Sequence, residues 1–178
     1  MRAARITHFA IAAILFCSFG APLATAQHAA LTDPEIASIA YTAGATDIAN
    51  ARLALKKSHN RTIRAFARDM IRDHSAVNRK ALALVKKLHI TPQNNPTSEA
   101  IVKQSDQARA ELAKLSGSAF DKAYIENEVN YHKMVNNALK SELIPDAKNA
   151  QLKRLLETGL KIFEGHQRHA EEIASHMK

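Results

Sequence analysis

The chain has one cysteine, Cys17, no tryptophan, and only five glycines and five prolines in 178 residues. Each scarcity closes off a class of chemistry. A lone cysteine can form neither an internal disulfide nor a thiolate zinc cluster, so metal chemistry falls to His, Asp and Glu. No G-x-S-x-G elbow and no glycine-rich phosphate loop occurs, so nothing marks a serine hydrolase or a nucleotide-binding turn. Aromatic residues make up 5% of the chain. The stacking platforms of nucleic-acid recognition are therefore sparse, and no specific nucleic-acid partner is expected. Strand-like alternation of apolar and polar residues is missing throughout, which argues against a β-barrel. Beyond the first 26 residues no stretch is apolar enough to span a bilayer, so the mature chain is expected to lack a transmembrane segment.

What is present begins with Met1-Arg2-Ala3-Ala4-Arg5, an apolar run from Phe9 to Phe19, and Ala24-Thr25-Ala26. A basic start, a short apolar stretch and an A-x-A site are the parts of a cleavable signal peptide. The apolar run falls short of the ~20 residues that cross a membrane. Cys17 is a poor lipidation site, because Phe16 stands before it where a small residue is wanted. The expectation is cleavage after Ala26 and export to a bacterial periplasm, leaving residues 27–178 as a single domain. The chain carries a formal charge of +8. Its leader holds Arg2 and Arg5 and no acid, so the mature part stays basic and suits anionic surfaces.

Hydrophobic periodicity then lays out the helices. Asp33-Pro34 starts the first, with Asp33 read as the N-cap, and it runs to about Lys57. Its inner stripe of Ile36, Ala40, Ala43, Ala51 and Ala54 is small, so a neighbouring helix can approach closely. The turn Ser58-His59-Asn60 is short, and Asn60 caps a second helix that packs antiparallel to the first. Ile63, Phe66, Met70, Val77, Ala81, Leu84 and Leu88 form its apolar stripe, up to about His89. Its other face carries Arg61, Arg64, Arg68, Arg72, Arg79 and Lys86, a ribbon fit to meet an anionic envelope surface. The breaker cluster Thr91 to Pro96 follows, then a more polar crossover helix from Ser98 to Leu115. A third long helix begins at Ser118-Ala119-Phe120-Asp121, read as a capping box, and reaches about Leu143. Pro145 breaks it. The last helix spans about Asn149 to His176. The fold class is all-α, a four-helix bundle with an additional crossover helix between the second and third long helices.

Every long helix places an ionisable residue on its apolar face: Asp47, then His74, then Glu128 with His132 one turn on, then His166. Buried charge is costly unless partnered, so four such placements predict a shared polar cluster inside the bundle. Imidazole and carboxylate can satisfy one another, or jointly hold a divalent ion of Fe, Cu, Mn or Zn. If the crossover returns the chain, so that the third helix starts beside the first turn, the residues fall within about 6 Å of one level. His166 joins them only if the last helix starts near Asn149. The Glu-x-x-His pairs of carboxylate-bridged di-iron bundles do not occur in this chain. His166, His169, Glu172 and His176 form a second candidate metal face on the last helix. No residue set identifies a reaction, and no catalytic residue is assigned.

Several of these residues fall into one pattern. Asp47 precedes Leu53-Ala54-Leu55. Ile63, Phe66-Ala67, Met70-Ile71, Asp73-His74 and Asn78 follow at fixed spacing, then Leu115-Ser116-Gly117, Phe120-Asp121 and Tyr124, and finally His132 and His166. In this the chain resembles the exported bacterial family called domain of unknown function 4142, whose members are often labelled outer-membrane proteins. The resemblance covers roughly Asp33 to Ile173. It implies a ferritin-like bundle with no established activity, and Asp73, His74, Asp121, Tyr124, His132 and His166 as the matching polar signature. Asp47 stands where members commonly carry Glu. The outer-membrane label fits poorly with helices alone. Two functional expectations follow. One is a non-catalytic binding or envelope-stress module whose polar core fixes the register of the bundle. The other is a metal-binding or redox protein using Asp47, His74, Glu128, His132 and His166.

Overall fold

The computed structural model describes residues 30–177, so the expected leader and its expected cleavage site lie outside the described residues. Six helices follow one another: α1 (Asp33–Lys57), α2 (Arg61–Lys87), α3 (Pro96–Lys114), α4 (Gly117–Ala138), α5 (Ile144–Asp146) and α6 (Ala150–His176). A π-helical turn, Leu139–Leu143, joins α4 to α5. Pro145 explains that turn. It can donate no backbone hydrogen bond and crowds the carbonyl four residues back, and the wider turn just before it relieves the clash. No strand occurs among the described residues.

The helix ends differ in detail from what the sequence suggests. Thr32, not Asp33, caps α1, in a capping box with Glu35. Asp33 instead accepts from the backbone N–H groups of Lys148 and Asn149, both at 2.9 Å. Two adjacent cap-forming residues competed, and the one that leaves Asp33 free to tie α1 to the start of α6 prevails. Helix α4 likewise starts earlier than Ser118: Ser116 is its N-cap and makes no side-chain cap bond. Gly117 takes φ 58°, a left-handed conformation that glycine adopts without strain, and this sets the entry into α4. Helix α2 closes at Lys87, and α3 opens at Pro96 behind an Asn95 cap.

Helix α3 runs alongside α1 in the same direction. At one end the N–H of Gln93 donates to the carbonyl of Pro34, and Asn95 Nδ2 donates to that of Glu35. At the other, Lys57 Nζ donates to the carbonyl of Ala113 at 2.5 Å. The crossover therefore returns the chain, and α4 begins beside the α1–α2 turn. The four long helices run up, down, down, up, as in bundles with one long crossover.

Two apolar clusters fill the bundle. The first holds Ala51, Ala54, Ile63, Phe66, Met70, Phe120, Tyr124, Ile125, Ala170 and Ile173. The second holds Ile36, Ile39, Leu139, Leu143, Leu152, Leu156 and Phe163. Each wholly buried large side chain, such as Phe66 at 0% exposure, stabilises by roughly 1.5–3 kcal/mol. On every long helix the boundary between the clusters falls at one place. It comes between Ile39 and Ala51 on α1, after Met70 on α2, between Ile125 on α4 and Leu139 at the start of the π-helical turn, and between Phe163 and Ala170 on α6. A layer of another kind occupies that boundary.

The basic ribbon on α2 is partly engaged within the protein. Arg64 Nη1 donates to the carbonyls of Leu55 and Ser58 at 2.6 and 3.0 Å, closing the end of α1. Arg72 pairs with Asp69 and Asp73. Arg61, Arg68, Arg79 and Lys86 remain exposed.

Candidate metal centre

The layer between the two clusters is polar. Asp47 and Glu128 are fully buried, and His74, His132 and His166 are 2%, 1% and 7% exposed. Each arrives by the periodicity that places the apolar residues around it, so all four long helices contribute. His166 reaches this level because Asn149 caps α6 and starts it at Ala150. All five residues expected to meet do meet.

The three imidazoles form a nearly regular triangle. Ring centroids are 5.7 Å apart for His74–His132, 5.3 Å for His74–His166 and 5.4 Å for His132–His166. His74, His132 and His166 each bring a ligating atom within 4.8 Å of the others, and so do Asp47, Glu128 and His132. The two triads share His132. Phe163 stacks on His74 at 4.5 Å with 7° between the planes, which holds that ring in one orientation.

Hydrogen bonds at the edge decide which nitrogens face inward. His132 Nδ1 donates to the backbone carbonyl of Glu128 at 3.0 Å, which leaves the lone pair on Nε2. His166 Nε2 donates to Asp73 Oδ2 at 3.0 Å, which leaves the lone pair on Nδ1. Carbonyl and carboxylate partners of this kind set tautomer and ring orientation in metal-ligating histidines. Both remaining nitrogens are buried without a protein partner. Asp73 is itself gripped by the Arg72 guanidinium at 2.8 and 2.9 Å.

The inner atoms satisfy one another only in part. Asp47 Oδ2 lies 2.6 Å from His74 Nε2 and 4.0 Å from His132 Nε2, close enough to pair by charge, but neither the oxygen nor His74 Nε2 completes a hydrogen bond of regular geometry. In all, eight buried polar atoms of Asp47, His74, Glu128, His132 and His166 are unpartnered. Buried polar groups are almost always paired, so a convergent set of orphans needs an explanation.

Electrostatics follows from the burial. Burial pushes Asp47 up, but the adjacent His74 and His132 outweigh it and hold the carboxyl below its ordinary value. Glu128 is driven well above the usual carboxylate range by burial and by the nearby Asp47 charge. Burial, with repulsion from His74 and His166, brings His132 down to about 4 despite the pull of Asp47. Burial likewise lowers His166, partly offset by Asp73. The layer thus favours the ionised form of Asp47 and the protonated form of Glu128, and keeps His132 neutral at pH 7.

The remaining expected residues fall at other places. Tyr124 is buried one turn before Glu128 and stacks on Phe120; its hydroxyl, also unpartnered, is pushed upward by burial and by the nearby carboxyl groups of Glu128 and Asp47. Asp121 is buried eleven residues before His132 on α4, about 16 Å along the helix, outside the cluster. Of the second candidate face, His169, Glu172 and His176 line one open surface pocket, and among the described residues their ligating atoms do not converge as those of the inner triads do. His166 turns inward, His169 packs edge-on against Phe66, and His176 Nδ1 bonds to the carbonyl of Glu172. Phe163 as a ring support was not predicted, because an apolar residue on an apolar stripe carries no signal beyond packing.

Over residues 20–173 the chain matches the family described as Domain of unknown function (DUF4142). The chain belongs to this family. No curated protein matches it. Among solved structures, this DUF4142 chain is similar to a DUF305 fragment from Deinococcus radiodurans. That match has 16% identity and a TM-score of 0.69, covering 83% of this chain and 99% of the other. It is also similar to CopM in its Cu(II)-bound form, at 14% identity and a TM-score of 0.64, covering 84% of this chain and 99% of that one. These likenesses show the helical-bundle fold. Among the described residues of the DUF4142 chain, no helix is long and apolar enough to cross a membrane.

Proposed function

We propose that this protein is an exported, non-catalytic binding module of the periplasm whose ligand is a divalent transition-metal ion. His74, His132 and His166 hold the ion, with Asp47 and Glu128 completing the donor set. The observation that carries this reading is the group of buried donor atoms without protein partners, converging from four helices. A polar layer that served only to fix the register of the bundle would pair those atoms with each other. A cation takes one donor atom from each ligating residue and so satisfies part of the set.

The donor chemistry narrows the ion. Imidazole suits copper, zinc, iron and nickel, while an oxygen-rich set would suit magnesium or calcium. Three imidazoles without a thiolate point to the late first-row ions, where copper(II) binds most tightly at a given nitrogen and oxygen site. The Cu(II)-bound state named for the similar CopM structure supports the same choice. The secretory pattern at Met1 to Ala26 supports export.

The test is elemental analysis of untagged protein, followed by thermal shift with Cu(II), Zn(II), Fe(II) and Mn(II). Near-stoichiometric metal is expected, with the largest stabilisation from Cu(II) and its loss in His132→Ala. Protein that carries no metal and melts at one temperature with all four ions would remove the proposal.

A further inference from the structure

The half of the bundle built around Ile36 and Leu156 is not filled. A cavity of about 130 Å³ lies between the four long helices and is covered by Thr97 and Ile101 of α3. Its cause is local. Ala37, Ala40 and Ala43 on α1, Ala81 on α2, Ala138 on α4 and Gly159 on α6 all face it. The other half of the core sets Phe66, Met70, Phe120 and Tyr124 toward its centre. Small side chains on α1 were expected to let a neighbour close in, and Ala51 and Ala54 do pack that way. Ala40 and Ala43 leave space instead.

Such space is unusual. Protein interiors are close-packed, with few voids larger than a water molecule, and an empty void lowers stability in proportion to its volume. Water does not fit this one well, because its lining is apolar apart from Asn78 and Thr97, and a water needs two or more polar partners. Apolar cavities of comparable size, about 150 Å³, stay dry and accept benzene or xenon. Access is available: Met134 lines the cavity and is 41% exposed, beside the α3 residues. At the inner end stands Phe163, which also stacks on His74.

We propose that this cavity is a binding site for a small apolar molecule of about the size of benzene, entering past Met134. It is distinct from the polar layer and separated from it by the Phe163 ring. The site does not depend on any metal, so the experiment uses metal-stripped protein and its outcome stands apart from the metal reading.

The purified protein is titrated with benzene while methyl resonances of Val77, Val135 and Leu156 and the melting temperature are followed. Saturable shifts centred on these methyls and a rise in melting temperature are expected. Ala138→Leu and Ala81→Leu, made separately, fill the space from two helices. Each is expected to raise the melting temperature of the ligand-free protein and to remove the benzene response. Lining methyls that do not move in the wild-type protein overturn the proposal. So does a benzene response that persists at full size in whichever of the two variants folds.

Discussion

Asp73 and His166 join α2 to α6 through a 3.0 Å hydrogen bond at the rim of the polar layer. Asp73 is the more exposed partner, its side chain 26% accessible against 9% for His166. It does not face the centre. Its effect is to hold the His166 ring so that Nδ1 points inward, which makes it a positioning residue. Outer partners of this kind typically change metal affinity 10–100-fold. Asp73→Ala is therefore expected to weaken Cu(II) binding by about that factor in a competitive chelator titration. Asp69→Ala, which also removes a partner of Arg72 but does not touch His166, is expected to leave the affinity unchanged.

The burial of Glu128 and His132 gives the metal-free protein an unusual pH response. Folding brings His132 from an ordinary imidazole value near 6.5 down to about 4. Between those values the unfolded chain holds the extra proton, so the His132 contribution is complete above about 6.5 and is lost as pH falls through about 4. Glu128 acts in the opposite direction. Its folded value is raised, so its contribution is complete below the ordinary 4.5 and is lost as pH climbs toward the folded value. Above about pH 4.5 the two slopes oppose one another. Glu128→Gln keeps the shape of the neutral acid and removes its titration. The variant is expected to be more stable than the wild-type protein at pH 8 and to show a steeper rise in stability between pH 4 and 6.5. Urea denaturation across pH 4–8 measures both. An unaltered profile would mean that Glu128 ionises freely in the folded protein.

Metal binding should carry its own acid limit, because a ligating histidine must be unprotonated. The lowered values of His132 and His166 keep these two ligands unprotonated below the ordinary imidazole range. Cu(II)-induced stabilisation is expected to persist at pH 6 and to fade toward pH 4. His132→Asn is expected to remove at least tenfold of the affinity at neutral pH. Isothermal titration at several pH values separates this from the behaviour of exposed histidines, whose binding would already fail near pH 6.

The bundle was legible in the sequence because 3.6-residue periodicity survives in α1, α2, α4 and α6, and because the breaker cluster Thr91 to Pro96 and Asn149 mark helix boundaries, although α3 starts at Pro96 rather than at Ser98. The polar layer was legible for the same reason: Asp47, His74, Glu128, His132 and His166 interrupt apolar stripes. Periodicity says which face a residue occupies but not which atom points inward. The tautomers of His132 and His166 depend on a backbone carbonyl and on Asp73, and those distances exist only in three dimensions. Caps were harder still, since Thr32 beside Asp33, and Ser116 beside Ser118, satisfy the same local rule. The cavity left no trace either. Alanine on a stripe fits both tight packing at Ala51 and open space at Ala40.

Gly44 and Asn78 set the distance between α1 and α2 next to the layer. Asn78 Nδ2 donates to the carbonyl of Tyr41 at 3.2 Å, and a Cβ on Gly44 would collide with Asn78 Oδ1. Gly44→Ala must therefore displace Asn78, break its hydrogen bond, or push the helices apart. The expected cost is about 1–3 kcal/mol. Asn78→Ala alone is expected to cost about 1 kcal/mol. Removing the obstructing amide makes room for the new methyl, so the double variant should lose less than the sum of the two, by about 1 kcal/mol in a double-mutant cycle. The consequence reaches the layer because Asp47 lies one turn from Gly44 and His74 one turn from Asn78. Asp47 and His74 are only 2.6 Å apart, and widening the crossing separates them first. Gly44→Ala is thus expected to weaken Cu(II) binding, and the double variant to recover part of it. Additive losses in stability, or an affinity indifferent to Gly44→Ala, would show that this crossing does not govern the geometry of the layer.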